Sequence, residues 1–225
     1  MAGTDENFAA DLSAFRIDAG AGMVAPVFFV TVFTAEGWLR PGYDQASMFV
    51  SELSIGPRGW VQVINFFVTG GLLLRFVRGA AAHFAPGRAS RAGPILLRII
   101  GCSLIGSGLF VTDPSALFAQ SSIHGYIHGL FGAVVFSLAP ASCFVYFTCF
   151  RQDPAWRSLA PWTLSAGTIV TVGIIFLKVS QLPGSDLSSL KGLIQRGILI
   201  VFMAWVYVFS RRLSGLSDND RSLRR

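Results

Sequence analysis

Charged side chains are scarce in this chain of 225 residues, where Asp, Glu, Lys and Arg together make up 13%. A soluble globular domain carries roughly 25% charged residues, so the composition excludes that class of protein. Apolar residues take their place, since 52% of the chain is hydrophobic and its mean hydropathy is +0.58. The sequence therefore predicts an integral membrane protein.

Cysteine is also scarce. The chain has three cysteines, Cys102, Cys143 and Cys149, and no two of them have the C-x-x-C spacing. This argues against both a disulfide framework and a zinc ribbon. We interpret the three cysteines as small residues of the protein core.

Basic residues are missing from the first fifteen positions, which carry Asp5, Glu6 and Asp11 instead. A cleaved signal peptide has a positively charged start and an A-x-A-like cleavage site, and this stretch has neither. We therefore expect the first apolar segment to be retained as a membrane span.

Six apolar stretches are long enough to cross a hydrocarbon core, which takes about 20 residues of helix. They cover residues 18–38, 60–78, 93–111, 123–150, 158–178 and 191–210. Gly125, Gly129 and Ala133 recur at every fourth position of the fourth stretch, a pattern that predicts close helix packing. We expect an all-α fold, a single membrane-embedded domain over residues 1–225 that forms a compact polytopic bundle of six transmembrane helices.

Arginine and lysine are divided unevenly between the two sides of this bundle. Twelve arginines fall on one side, and only Arg40, Arg58, Lys178 and Lys191 fall on the other. Because Lys and Arg resist translocation, we expect both termini in the cytoplasm, with residues 211–225 as a basic cytoplasmic tail. The net charge of +6 then reflects this orientation and contact with anionic membrane lipid. No basic stripe interleaved with aromatic residues points to nucleic acid.

The longest loop, residues 37–59, joins the first two spans. Its central stretch, residues 45–55, is too short to cross a membrane. The turn-forming pairs Pro41-Gly42 and Gly56-Pro57 flank this stretch. We interpret it as an interfacial or re-entrant helix that lies over the mouth of the bundle.

Several polar residues share one depth in the otherwise apolar spans. At this depth are Asn65, His128, Gln195 and Arg196, and in or beside the loops above them are Glu52, Asp113 and His124. The deeper residues lie about five positions, or roughly 7–8 Å, inside the extracytoplasmic ends of their spans. Polar groups at membrane depth are costly and tend to mark function. This convergence predicts a shared cavity that is open to the extracytoplasmic side.

His124 and His128 are four residues apart, so a helix places them one above the other on one face. With Asp113 or Glu52 as an oxygen ligand, this pair offers two nitrogens to a divalent metal. Both lie in the first turns of their helix, where the positive end of the helix dipole favours the neutral imidazole. Alternatively, the two histidines hydrogen-bond to neighbouring helices or to water.

Arg196 stays charged at any relevant pH, so it cannot lose its proton to enter the membrane. Three arrangements suit its depth. The side chain can extend to the surface, it can pair with Asp113 or Glu52, or it can contact an anionic ligand such as a lipid headgroup.

Five short motifs, taken in order, resemble a family of multi-span membrane proteins called domain of unknown function 998. The motifs are Ser51-Glu52-Leu53, Asn65, Asp113-Pro114, His124-Gly-x-x-His128 and Gly192-Leu-x-Gln195-Arg196. The resemblance covers nearly the whole chain. It implies a multi-span architecture and a set of site positions, but no activity, because the family has none established.

The polar residues leave three classes of function open. In the first, an enzyme acts on a lipid or isoprenoid-like substrate by hydrolysis or by acid/base-assisted rearrangement or cyclisation, with or without a divalent metal. Its catalytic residues would be His128, His124, Asp113 and Glu52, and its substrate contacts would be Arg196, Gln195, Asn65 and Ser51. In the second, the cavity binds or transports a lipid or a small solute. In the third, the polar cluster locks helices together in a structural membrane subunit.

The orientation can be tested by cysteine labelling in intact cells. Ser47→Cys and Ser188→Cys should react with a membrane-impermeant maleimide from outside, because both lie in loops on the side with few basic residues. Ser90→Cys should react only after permeabilisation. The unchanged chain, with its native cysteines, gives the labelling background, and the opposite pattern would overturn the orientation.

Overall fold

The computed structural model describes residues 2–84, 87–114 and 122–222 of the chain. These residues form six long helices, and no strand occurs among them. The helices are α1 (Ala2–Leu39), α2 (Trp60–His83), α3 (Arg88–Leu109), α4 (Ile123–Gln152), α5 (Ala160–Ser180) and α6 (Lys191–Ser222). Each contains a stretch that is long and apolar enough to cross a membrane. The prediction of an all-α fold with six candidate spans is therefore confirmed.

The six helices form a closed ring. Each helix packs against the next one in the chain, and α1 packs against α6. Consecutive helices run antiparallel, since Asp18 in the first half of α1 meets Arg78 late in α2 and His128 early in α4 meets Phe110 at the end of α3. Helices α2, α4 and α6 therefore all begin at the same end of the bundle. We call this end the cavity end.

Glycines allow close approach at some of the helix interfaces. A Cβ on Gly70 would stand 2.6 Å from the carbonyl oxygen of Gly101, and a Cβ on Gly106 would stand 2.5 Å from the ring of Phe131. Helices α2, α3 and α4 can therefore pack this closely only because these positions lack a side chain. Gly129 in α4 is different, since no neighbouring atom lies within 4 Å of a Cβ built there. The prediction that the small residues of α4 serve close packing is wrong at this position.

Aromatic side chains fill the ring at the end opposite the cavity end. Trp156 stacks on Phe150 with ring centroids 4.9 Å apart, and Phe209 meets Tyr146 at 4.7 Å and Trp205 at 5.7 Å. All five side chains are fully buried. This packing fills that half of the interior, so an internal space can form only toward the cavity end.

The loop between α1 and α2 folds back over the bundle at the cavity end. It contains a short 3₁₀ helix, Val50–Ser54, which contacts α1, α2 and α6. This helix is shorter than the one predicted over residues 45–55. The carboxylate of Asp44 accepts a hydrogen bond from the backbone N–H of Ala46 at 3.0 Å, and such a bond favours a turn over a helix. The depth of this segment in a membrane stays a prediction.

Helix α1 carries a buried carboxylate near its first membrane-spanning residues. Asp18 accepts hydrogen bonds from Arg75 at 3.2 Å and from Arg78 at 2.8 Å, and both arginines belong to α2. Because these arginines are three residues apart, the antiparallel neighbour presents both to one carboxylate. The ion pairs fix the α1–α2 interface at the end opposite the cavity end.

A second buried carboxylate, Glu36, lies near the other end of α1. It pairs with Arg40 one turn later at 2.9 Å and with Arg58 of the following loop at 2.7 Å. Arg40 also donates to the carbonyl of Ile55 at 2.9 Å, so this group ties both ends of the loop to α1. Asp18 and Glu36 are about 27 Å apart along the helix, which is close to the ~30 Å thickness of a hydrocarbon core.

Glu36→Gln should lower the melting temperature in detergent by several degrees, because two guanidinium groups would then face each other without the negative charge between them. Asp186→Asn, which neutralises an exposed loop carboxylate, is the matched control and should melt close to wild type. Thermal unfolding of both variants followed by fluorescence provides the measurement. Equal melting temperatures for the two variants would contradict a stabilising role for the Glu36 pairs.

Candidate ligand-binding cavity

A cavity of about 560 Å³ lies inside the ring of helices. This volume falls within the range of pockets that hold small ligands, roughly 300–1,000 Å³. The charged, amide and imidazole groups that line it all lie near the cavity end: Asp113, His128, Lys178, Gln181 and Gln195. Farther in, toward Pro140 of α4 and Thr171 of α5, the walls are apolar apart from hydroxyl groups. The cavity is therefore amphipathic along its length.

His128 lies in the second turn of α4, is buried, and lines the cavity. Its Nδ1 is 2.7 Å from the carbonyl oxygen of Phe110 and 3.1 Å from that of Ser107. A carbonyl can only accept a hydrogen bond, so Nδ1 carries the proton and donates it to the last turn of α3, whose carbonyls lack helical partners. In its neutral form, His128 therefore keeps the lone pair on Nε2. The ring of Phe66 holds the imidazole edge-on, with centroids 6.0 Å apart.

His124 lies one turn before His128, is exposed, and does not line the cavity. Its ring contacts the ring of Phe110 at 5.5 Å, so both histidines meet Phe110 from one face of α4, as their spacing predicts. Within residues 14–82, 91–114 and 122–216, no group of three or more His, Cys, Asp or Glu side chains is placed to hold a metal ion. A metal role for the pair stays a prediction.

Asp113 follows α3 and caps the start of α4. Its Oδ2 accepts a hydrogen bond from the backbone N–H of Ser122 at 2.6 Å, and its Oδ1 accepts one from the Ser122 hydroxyl at 2.9 Å. The same hydroxyl accepts from the N–H of Gly125 at 3.0 Å. A Cβ on Gly125 would clash with the Asp113 carboxylate, so any larger residue there would displace this cap. The negative charge suits the positive end of the α4 dipole.

Arg196 does not pair with Asp113 or Glu52, which corrects that expectation. Its Nη1 donates to the carbonyl oxygens of Gln45 at 2.8 Å and Met48 at 2.9 Å, and to that of Gly192 at 3.0 Å. The physical reason is that irregular loop carbonyls buried in the bundle need donors, and the guanidinium offers five N–H groups in a fixed fork. Arg196 is buried and does not line the cavity.

Tyr43 completes the anchorage of Arg196 to the loop. The Nη2 of Arg196 donates to the Tyr43 hydroxyl, and this hydroxyl donates to the carbonyl of Phe49 at 2.9 Å. Burial raises the pKa of Tyr43 above its usual value, so the hydroxyl keeps the proton that it donates. The loop is therefore held by a chain of hydrogen bonds that starts on α6.

Two further predicted residues hold the 3₁₀ helix of the loop. Gln195 Oε1 accepts from the N–H of Val50 at 2.7 Å, and Glu52 Oε2 accepts from the N–H of Phe49 at 2.7 Å. Gln195 lines the cavity, as does Ser51 from the 3₁₀ helix itself, whereas Glu52 does not. The two side chains satisfy N–H groups at the start of this helix, which have no helical partners.

Asn65 is fully buried between α1 and α2 and does not line the cavity. Its Nδ2 donates to the carbonyl of Phe29 at 3.2 Å and to Gln62 Oε1 at 3.2 Å, and its Oδ1 accepts from Thr69 at 3.4 Å. These bonds join two helices, which is a structural role.

Four of the eight predicted site residues thus line one cavity: Ser51, Asp113, His128 and Gln195. The sequence does not predict the other two charged or amide residues of the lining, Lys178 and Gln181. The signal for Lys178 is its position just inside the end of an apolar span.

Comparison with known families adds one match. The family model described as "Protein of unknown function (DUF998)" matches residues 23–212, a range that contains every residue lining the cavity. No curated protein and no solved structure matches the chain.

Arg196→Lys should destabilise the protein by on the order of 3 kcal/mol, because an ammonium group cannot replace the fork of hydrogen bonds to the loop. Arg91→Lys, at an exposed position of α3, is the matched control and should have almost no effect. Chemical denaturation in detergent provides the measurement. An equal stability of the two variants would show that Arg196 does not hold the loop.

Proposed function

Since the chain belongs to the DUF998 family of proteins of unknown function, we propose from the cavity itself that this protein binds a lipid-like amphipathic molecule within the membrane. The observation that carries the proposal is the amphipathic lining, with charged, amide and imidazole groups at one end and apolar walls beyond. A ligand with a polar head and an apolar chain matches both parts at once.

The polar end offers both hydrogen-bond donors and acceptors. Gln195 uses its Oε1 to accept from Val50, so its amide NH₂ is the group that it can offer to a ligand. Lys178 adds an ammonium group and Ser51 a hydroxyl. The Nε2 lone pair of His128 and the carboxylate of Asp113 are acceptors. The donors suit a head with acceptor oxygens, such as a carboxylate or a phosphate monoester, and the acceptors suit a hydroxyl on the same head.

The apolar part of the lining suits a hydrocarbon chain. Its walls come from all six helices: Phe29, Phe66, Leu104, Phe136, Ile174 and Leu199 line it in chain order. Burying a chain among such side chains is favourable by roughly 25 cal/mol per Å² of apolar area removed from water. For a molecule already in a bilayer this term is small, so the polar contacts would decide which lipid is bound.

The orientation of the site follows from charge. The uneven distribution of arginine and lysine supports cytoplasmic termini and, with them, a cavity end on the extracytoplasmic side. The head of the ligand would then lie near the outer leaflet, at the level of Lys178.

An enzyme acting on the same kind of molecule is the second candidate function. His128 favours it, because an imidazole with its Nε2 lone pair in a cavity can act as a general base. The carboxylates that would assist are otherwise engaged, since Asp113 holds Ser122 and Glu52 holds the N–H of Phe49. We therefore rank binding above catalysis.

Filling the cavity tests the proposal. Gly132 lines the cavity and has no neighbouring atom within 4 Å of a Cβ built there, so Gly132→Leu should fold while its side chain occupies the cavity. Wild-type protein purified from membranes should retain a lipid that mass spectrometry detects, and Gly132→Leu should retain at least tenfold less.

Gly197→Leu is the matched control, because Gly197 is exposed on α6, has equal space around it and does not line the cavity. It should retain lipid as wild type does. Equal retention by both variants would refute the binding site. Chemical conversion of the retained lipid, lost in His128→Ala, would favour the enzyme instead.

A further inference from the structure

We propose that the ligand enters the cavity sideways from the bilayer, through a slot between α4 and α5, and that it carries one long chain. The slot is lined by Ala133 and Ser137 of α4 and by Thr171 and Ile175 of α5. The inference rests on the proposed function, since it concerns how the bound molecule reaches the same cavity.

Helix α4 contributes an outer-face residue to the cavity wall. Ser137 lines the cavity, yet it stands two turns from both Leu130 and Phe144 and therefore shares their face of the helix. Leu130 is 51% exposed and Phe144 is 37% exposed, on the outside of the bundle. A residue of that outer face can line an interior space only if the space opens outward beside it.

Helix α5 shows the same feature on the other edge of the slot. Ile175 lines the cavity and is 57% exposed. It shares an outer face with Val172 and Val179, which are three residues before it and four residues after it and are also exposed. Both edges of the slot thus continue onto surfaces that, in a six-span protein, face lipid.

The packing of α5 explains why the slot exists. A Cβ on Gly167 would stand 3.1 Å from Cys143 of α4, so the two helices are in close contact there. Gly173, six residues later, faces a different side of α5, where a Cβ would stand 2.7 Å from Ile198 of α6. Nearer the cavity end, a Cβ built on Gly129 or Gly132 of α4 would have no neighbouring atom within 4 Å. The contact between α4 and α5 at Gly167 therefore gives way to open space beside α4 toward the cavity end.

The chemistry of the slot suits an amphiphile that moves within the membrane plane. Its edges are small or apolar residues with two hydroxyls, while Lys178 lies two turns after Thr171 at the cavity end and is exposed. A chain can slide between the helices while its head stays near Lys178 at the membrane surface. The head would then never cross the hydrocarbon core, where a charge is costly.

The size of the cavity indicates one chain. If each non-hydrogen atom takes the ~30 Å³ that a water molecule occupies in the liquid, a cavity of about 560 Å³ holds on the order of 20 such atoms. This number fits one long chain with a small head.

Exchange kinetics in proteoliposomes test the route, with 16-doxylstearate as the probe and its immobilised spin-label signal as the bound fraction. Ser137→Trp should obstruct the slot and slow both association and dissociation at least tenfold, with less than a threefold change in Kd. An obstructed route affects both directions equally, whereas a lost contact mainly speeds dissociation.

Leu130→Trp is the control, because Leu130 lies on the same outer face of α4 as Ser137 but does not line the cavity. It should exchange the probe at the wild-type rate. Equal rates for Ser137→Trp and Leu130→Trp would overturn lateral entry alone. No saturable bound fraction in wild type, or one that Gly132→Leu leaves unchanged, would overturn the proposed function together with this inference.

A second copy of the chain is the other occupant to test. If it covered the slot in the membrane, light scattering would show a dimer that both tryptophan variants convert to monomer. That result would overturn the lateral route, because the slot would be closed to lipid.

Discussion

Backbone groups of the loop between α1 and α2 set the main constraint on this structure. Irregular backbone that packs against the bundle away from water must find its hydrogen-bond partners inside the protein. Arg196 donates to two loop carbonyls, and Gln195 accepts from the N–H of Val50. The start of α6 therefore holds the loop in place, and the loop supplies residues 49–51 to the cavity wall. Without these bonds the cavity would lose one of its walls.

Side chains also satisfy backbone groups where α3 ends and α4 begins. His128 donates to carbonyls at the end of α3, and Asp113 accepts from Ser122 at the start of α4. Both side chains also line the cavity. Their structural bonds fix their positions before any ligand arrives, which is the preorganisation that a binding site needs. A structural role and a role in ligand binding are therefore compatible for His128 and Asp113.

The sequence predicts the spans and the depth of the polar residues, but not their partners. Apolar runs predict the spans, and the helix rise predicts the depth of the polar residues, because both properties depend only on position along the chain. Partners depend on rotation and on the neighbouring helix. A carboxylate was one of three predicted partners for Arg196, which instead meets carbonyls, and the ion pairs of Glu36 with Arg40 and Arg58 were not predicted. Several of the arginines whose distribution predicts the orientation also pair with the buried carboxylates of Asp18 and Glu36.

The small residues of α4 show why the sequence predicts a cavity but not its opening beside this helix. Glycine in a membrane helix permits two opposite outcomes, since a neighbour can approach closely or the space can stay open. Gly106 shows the first outcome against Phe131, and Gly129 shows the second. Neighbouring helices decide between them along α4, because α5 meets α4 closely at Gly167, whereas no neighbouring atom comes within 4 Å of a Cβ built at Gly129. The opening beside Gly129 thus depends on the path of a helix some forty residues later in the chain, and no local pattern around Gly129 encodes it.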